Sequence, residues 1–185
     1  EDKKAIFREQ DPGQKAVFNL DDPWQRGFPA ETRAAPFFFS AKKLPAEWNG
    51  AWLEGDIGKA RLAAGSDTEP ILAACLLPGM HNRQNLLCAG LALRLYGVPA
   101  ATVRDQLAQF PGVEHRLELF LTWNGVRLYN DSAATIPEAT AAAVRAVPGP
   151  VVLLAGGTDK NIDFSPLREV VRIPRRIVLL AGTGT

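Results

Sequence analysis

Apolar and polar residues follow two different rhythms along this chain. Through the first 65 residues the apolar positions come in short runs, at 16–20, 37–39 and 51–53, separated by Asp-Pro, Pro-Gly and Asn-Gly punctuation and with no helical periodicity. Runs of that length bounded by turn residues predict strands. From about Glu69 the pattern changes. Leu86, Leu87, Ala89, Gly90 and Leu93 recur at helical spacing, and Gly97 follows as a residue suited to closing a helix. A helix over 80–95 is predicted, and a second over 99–108. Phe110-Pro111-Gly112 then breaks the chain, which sets a domain boundary near Val113 and divides the sequence into 1–112 and 113–185.

Beyond the break, runs at 116–123 and 126–129 flank Asn124-Gly125, a dipeptide that accepts the positive φ angles of a tight hairpin. An Ala-rich helix over 136–147, an apolar strand over 151–155, a glycine turn, a short helix near 165–171 and a strand over 177–180 complete the order. Strands that alternate with helices and are almost wholly apolar predict an α/β fold with a parallel sheet covered on both faces. The final strand runs into Gly182-Thr183-Gly184, a turn of the kind that leads into a helix, so the chain is expected to be a piece of a longer protein.

Composition removes some classes of function. The 185 residues are 46% hydrophobic and 22% charged, with a net charge of +1, which fits globular folding and not disorder. Lys and Arg form no block interleaved with aromatics, so small molecules and not nucleic acids are the expected partners. No apolar stretch has the length of a membrane span, and the opening residues do not resemble a signal peptide. Cys75 and Cys88 lie in apolar surroundings with no Cys-x-x-Cys pattern. They are expected to be buried, reduced thiols in a cytoplasmic protein. Trp24, Trp48, Trp52 and Trp123 are expected to pack, and neither His81 nor His115 has a partner at metal-ligand spacing, so no metal site is predicted.

Three segments could carry chemistry. In His81-Asn82-Arg83-Gln84-Asn85, at the start of the longest helix, Asn82 and Asn85 are three apart and share a face, where their amides could read a flat heterocycle such as adenine. Either could equally be a helix cap. In Asn130-Asp131-Ser132-Ala133-Ala134-Thr135, Thr135 and Glu138 have capping-box spacing with Pro137 between them. Asp131 is left at the carboxyl end of a strand, where an acid can accept from ribose hydroxyls. In Gly156-Gly157-Thr158-Asp159-Lys160, the glycines permit a sharp turn and close ligand approach, and Lys160 offers a mobile charge for an anion. The same glycines could simply form an ordinary strand-to-loop turn. Arg116, beside His115, could meet a phosphate or form a surface ion pair. No G-x-x-x-x-G-K-[ST] occurs among the 185 residues.

In order, Gly79-Met80-His81-Asn82-x-x-Asn85, Glu114-His115-Arg116-Leu117-Glu118, Asn130-Asp131-Ser132-x-Ala134-Thr135 and Gly156-Gly157-x-Asp159-Lys160 resemble the Mur ligases, and among them the branch that adds D-glutamate. The resemblance runs from about Leu53 onward. It implies the end of a central ATP-binding domain, built on a mixed sheet plus helices, over 1–112, and the first half of a Rossmann-like C-terminal domain over 113–185. It implies an ATP-dependent amide ligase of peptidoglycan synthesis, acting through an acyl phosphate, with UDP-N-acetylmuramoyl-L-alanine, D-glutamate, ATP and Mg2+ as ligands. By the same resemblance Asn82 and Asn85 would face adenine, Arg116 the ATP phosphates and Asp131 the ribose, while Thr135 and Lys160 would hold D-glutamate. The phosphate loop and the magnesium ligands would lie upstream, so the 185 residues alone are expected to be inactive. Alternatives are another Mur or folylpolyglutamate-type ligase, or a non-catalytic binding protein derived from the same shell. One departure stands out: the family pattern has lysine where this chain has Ala133, and asparagine where it has Ile136.

Overall fold

A computed structural model describes residues 4–158 and 160–180. The chain divides into two compact units, one of Glu1–Leu76 with Asn82–Phe110, the other of Leu77–His81 with Pro111–Thr185.

The first unit is built on a five-stranded mixed sheet in the order β1 (Lys15–Asn19), β2 (Ala35–Ser40), β3 (Gly50–Glu54), β4 (Ile57–Arg61), β5 (Glu69–Leu72). The first three strands run parallel, and the last two pair antiparallel as hairpins. A short helix α1 (Ala5–Arg8) precedes β1, and 3-10 turns at Pro23–Gln25 and Phe28–Glu31 carry the chain from β1 to β2. Helices α2 (Met80–Leu95) and α3 (Ala100–Ala108) follow β5. Leu86, Leu87, Gly90 and Leu91 form the buried stripe of α2, the spacing of a helix laid on a core. A Cβ on Gly90 would stand 3.0 Å from Leu107 and 3.3 Å from Ile71 and Val103, so the missing side chain is what lets α2 close on α3 and β5. The helix ends as expected: Gly97 takes φ +100°, and Val98 N–H reaches back to the Leu93 carbonyl at 3.0 Å. A second cluster joins Phe7, Ala16, Phe18 and Ala34 with Phe28 and Phe38.

In the second unit β6 (Glu118–Trp123) and β7 (Val126–Asn130) form the expected hairpin, with positive φ at both Asn124 and Gly125. Helix α4 (Pro137–Ala146) follows, then β8 (Val152–Ala155), α5 (Ser165–Arg168) and β9 (Arg176–Leu179), with β8 and β9 parallel. Ala141, Val144 and Val170 form the core here, with Leu153 and Leu167 packed against them.

Several expectations are corrected. Among the described residues the β8–β9 pair is not covered on both faces: Val152, Leu154, Val178 and Leu179 are exposed. The Thr135–Glu138 capping box does not form. Proline at the first helical position forces its predecessor into extended conformation, so Ile136 (φ −134°, ψ 149°) becomes the cap residue and no side chain caps the helix. Trp52 is buried, but Trp24, Trp48 and Trp123 are exposed, although the Trp48 ring packs tilted against Phe38 with centroids 4.7 Å apart. Cys75 and Cys88 are half-buried, not fully buried, and desolvation pushes the Cys88 thiol up.

Candidate functional site

The residues singled out in the sequence fall into two sets, one in each unit. In the first unit, Asn82 is half-buried and Asn85 exposed on the first turn of α2, about 60° apart around the helix axis. The two residues between them point elsewhere and tie the turn to the sheet. The Arg83 guanidinium pairs with the Asp56 carboxylate at the β3–β4 turn, and Gln84 Nε2 donates to Asp21 Oδ2 at 2.8 Å.

The second set gathers around the loop that leaves β7. Asp131 Oδ1 accepts from the Leu117 N–H at 2.9 Å, and the Ala134 N–H donates to the Asp131 carbonyl at 2.8 Å. Asn130 stabilises the same loop from the side. Its Oδ1 accepts from Ser132 N–H at 3.1 Å, which turns its Nδ2 toward His115 Nδ1 at 2.8 Å. Nδ1 is then the acceptor, so the proton of neutral His115 sits on Nε2, 3.5 Å from Glu114. His115 and Leu117 both take positive φ, 64° and 46°, and they hold exposed Arg116 between them. Glu118 Oε2 accepts the His115 N–H at 2.9 Å, and the His115 carbonyl accepts the Ala133 N–H at 3.0 Å.

Charge in this cluster is balanced by opposing effects. Burial pushes the Asp131 carboxyl above its ordinary range, against the Leu117 N–H and the positive fields of His81 and Arg116. Burial likewise lowers His81, opposed by the Asp131 carboxylate. His81 belongs to the second unit together with Asp131. Its place beside Asp131 was not legible in the sequence, where the two are fifty residues apart. Nor were the supporting roles of His115 and Asn130, because left-handed geometry at His and Leu leaves no compositional signal.

Thr135 is exposed just ahead of α4, and its hydroxyl makes no capping bond. Lys160 is exposed in the irregular stretch after β8. Asp159 lies outside the described residues, as does the turn at 182–184. Gly156 has a packing reason of its own, since a Cβ there would meet the Leu180 Cβ at 2.7 Å. No group of three or more His, Cys, Asp or Glu side chains able to hold a metal occurs among the described residues, and no described helix is long and apolar enough to cross a membrane.

The fold matches MurF ligase from Thermotoga maritima, solved in complex with ADP, with a TM-score of 0.62 at 18% identity over 96% of this chain and 46% of that one. It also matches the UDP-N-acetylmuramate-alanine ligase MurC of the same organism, with a TM-score of 0.57 at 16% identity over 82% of this chain and 38% of that one. The architecture is that of the Mur ligases. No protein-family model matches. In sequence, the chain is 41% identical over 184 residues to the UDP-N-acetylmuramoylalanine–D-glutamate ligase of Symbiobacterium thermophilum, covering 98% of this chain and 40% of that protein. It is 34% identical over 180 residues to the ligase of the same name from Pelotomaculum thermopropionicum, covering 97% of this chain and 39% of that protein. The chain belongs to the Mur ligase family and spans about 40% of the length of the curated relatives it matches.

Proposed function

We propose that the chain is part of a cytoplasmic, ATP-dependent ligase that joins D-glutamate to UDP-N-acetylmuramoyl-L-alanine in peptidoglycan synthesis. On this reading 1–112 is the end of the central ATP-binding domain and 113–185 the start of the C-terminal domain. The observation that carries it is the 41% identity to a D-glutamate ligase across nearly the whole chain. In the reaction, a carboxylate oxygen of UDP-N-acetylmuramoyl-L-alanine attacks the terminal phosphorus of ATP and ADP leaves. The amine of D-glutamate then attacks the acyl carbon, loses a proton, and phosphate departs as the amide forms. Such chemistry depends on positioning and on neutralising phosphate charge.

The residues divide this work. Asn82 and Asn85 offer amides to the adenine edge. Asp131, its carboxylate fixed by the Leu117 N–H, accepts from the ribose hydroxyls, and the exposed Arg116 meets the phosphates. Thr135, freed from capping, and Lys160 hold the carboxylates of D-glutamate. On the same reading the magnesium that accompanies ATP takes most of its protein ligands from upstream of these residues.

The full-length protein tests this reading through phosphate release with ATP and UDP-N-acetylmuramoyl-L-alanine. Release should depend on D-glutamate and not on L-lysine, L-alanine or diaminopimelate. Asp131→Ala should raise the KM for ATP by about tenfold or more, the loss of a charged hydrogen bond, with a smaller change for D-glutamate. Equal losses for both ligands would remove the ribose role, and release driven by another amino acid would overturn the substrate assignment.

A further inference from the structure

We infer that Asp21 is a positioning residue that sets nucleobase selectivity by fixing the first turn of α2, although it would touch no nucleotide itself. The inference rests on the proposed reading of adenine by Asn82 and Asn85.

Asp21 lies just beyond the carboxyl end of β1 and is half-buried. Both of its carboxylate oxygens are engaged. Oδ1 accepts from the Ser40 hydroxyl at 2.8 Å, while Oδ2 accepts from the Ala41 N–H at 2.6 Å and from Gln84 Nε2 at 2.8 Å. These partners are neutral donors and not cations, so the carboxylate is held by geometry, which three converging hydrogen bonds define more tightly than one ion pair. The local frame is reinforced at each end. Asp21 N–H donates to Asn19 Oδ1 at 2.9 Å, and Ser40 Oγ accepts the Lys42 N–H at 2.9 Å. One side chain thus joins the ends of two adjacent parallel strands to a helix 63 residues away in sequence.

The position of this junction gives it meaning. β1, β2 and β3 run parallel, and ligands of open α/β sheets bind beyond the carboxyl ends of such strands. Gln84 is flanked by Asn82 and Asn85 in sequence but faces about 100° or more away from each around the axis. The bond from Asp21 therefore fixes the rotation of the turn and, with it, the direction in which the two Asn amides point. A second side-chain restraint, from Arg83 to the Asp56 carboxylate and the Gly55 carbonyl, is weaker on its carboxylate side, because the Asp56 side chain is 88% accessible although that of Arg83 is 17%, and a pair with an exposed partner holds less. An amide that reads a base edge discriminates only while its donor and acceptor stay aligned, so loosening the rotation should cost selectivity before it costs folding.

The test compares kcat/KM for ATP and for ITP, which carries a carbonyl where ATP has the exocyclic amine, in full-length protein, with the KM for D-glutamate as a control. Gln84→Leu and Asp21→Asn should each lower the ATP-to-ITP preference by about tenfold and raise the KM for ATP, leaving the KM for D-glutamate unchanged. Gln84→Lys, which restores a donor to Asp21, should keep the preference. If Asp21→Asn does not fold, Gln84→Leu and Gln84→Lys decide alone. A wild-type preference in Gln84→Leu, alongside its loss in Asn82→Ala and Asn85→Ala, would overturn the positioning role and leave the adenine reading intact. A wild-type preference in both Asn variants would remove the adenine reading and this inference with it.

Discussion

At Ala133 the chain lacks a cation that the Mur pattern supplies, in a loop that the proposed function sets against phosphate charge. Desolvated negative charge is costly unless it is balanced. The Ala133 N–H bonds the carbonyl of His115 at 3.0 Å, which brings position 133 beside the backbone that carries Arg116. Arg116 is accordingly the candidate to stand in. Arg116→Ala in the full-length protein should cost more than about 1.5 to 3 kcal/mol, a fall in catalytic efficiency of roughly tenfold to more than a hundredfold. Ala133→Lys should partly rescue it, and a double-mutant cycle measures the coupling. Strict additivity would assign the balancing charge to another part of the protein. At this scale the sequence was informative where side-chain chemistry matters and silent where backbone geometry does. Asp131 and Arg116 were legible as chemical types. His81, His115 and Asn130 were not, because what recruits them is a loop with left-handed residues and contacts distant in sequence. The capping-box spacing of Thr135 and Glu138 was misleading, because Pro137 holds Ile136 extended and makes it the cap residue.

Among the elements, α2 was the most legible, because its apolar stripe and the closing Gly97 agree. β4 and β5 were missed. β4 carries Gly58, Lys59 and Arg61, a composition that does not read as a strand, and Arg61 is buried only because its guanidinium donates to the Trp48 carbonyl and lies 5.1 Å from the Trp52 ring. β5 holds Pro70 at a sheet edge, where a proline is tolerated. The entry into β3 depends on one residue: Gly50 has φ +151°, and a Cβ there would lie 1.9 Å from the Phe38 carbonyl oxygen. Gly50→Ala must push β2 and β3 apart and should destabilise the first unit by about 3 kcal/mol or more. Urea unfolding followed by the fluorescence of buried Trp52 measures this, and a loss under about 1 kcal/mol would mean that the strand entry relaxes freely.

For the molecule as a whole, the two units should respond differently to acid. The folded second unit holds His81 below its ordinary value of 6.5, so the unfolded chain takes up the proton first, and stability is lost as pH falls from there through the lowered folded value. Asp131, raised by burial, acts in the opposite sense, but its cost is relieved only as pH falls through its raised value toward 3.8. In the first unit Glu31 and Glu54 are held below 4.5, so their contribution is intact well above that. Between pH 7.5 and 5.5, hydrogen exchange corrected for intrinsic rates should therefore quicken in the second unit and stay constant in the first. His81→Asn should remove the difference, and equal acceleration in both units would refute the assignment. The Asp21–Gln84 junction also bears on synthesis, since it joins residues 63 positions apart. Ile71 and Leu72 are fully buried in a unit that also requires α2 and α3. On a ribosome adding about 5 to 20 residues per second, the interval between Leu72 and the end of α3 at Ala108 is roughly 2 to 7 s. During that time β5 has been made but α2 and α3, which close on Ile71, have not, which makes this stretch of translation the natural point for a chaperone to engage the chain.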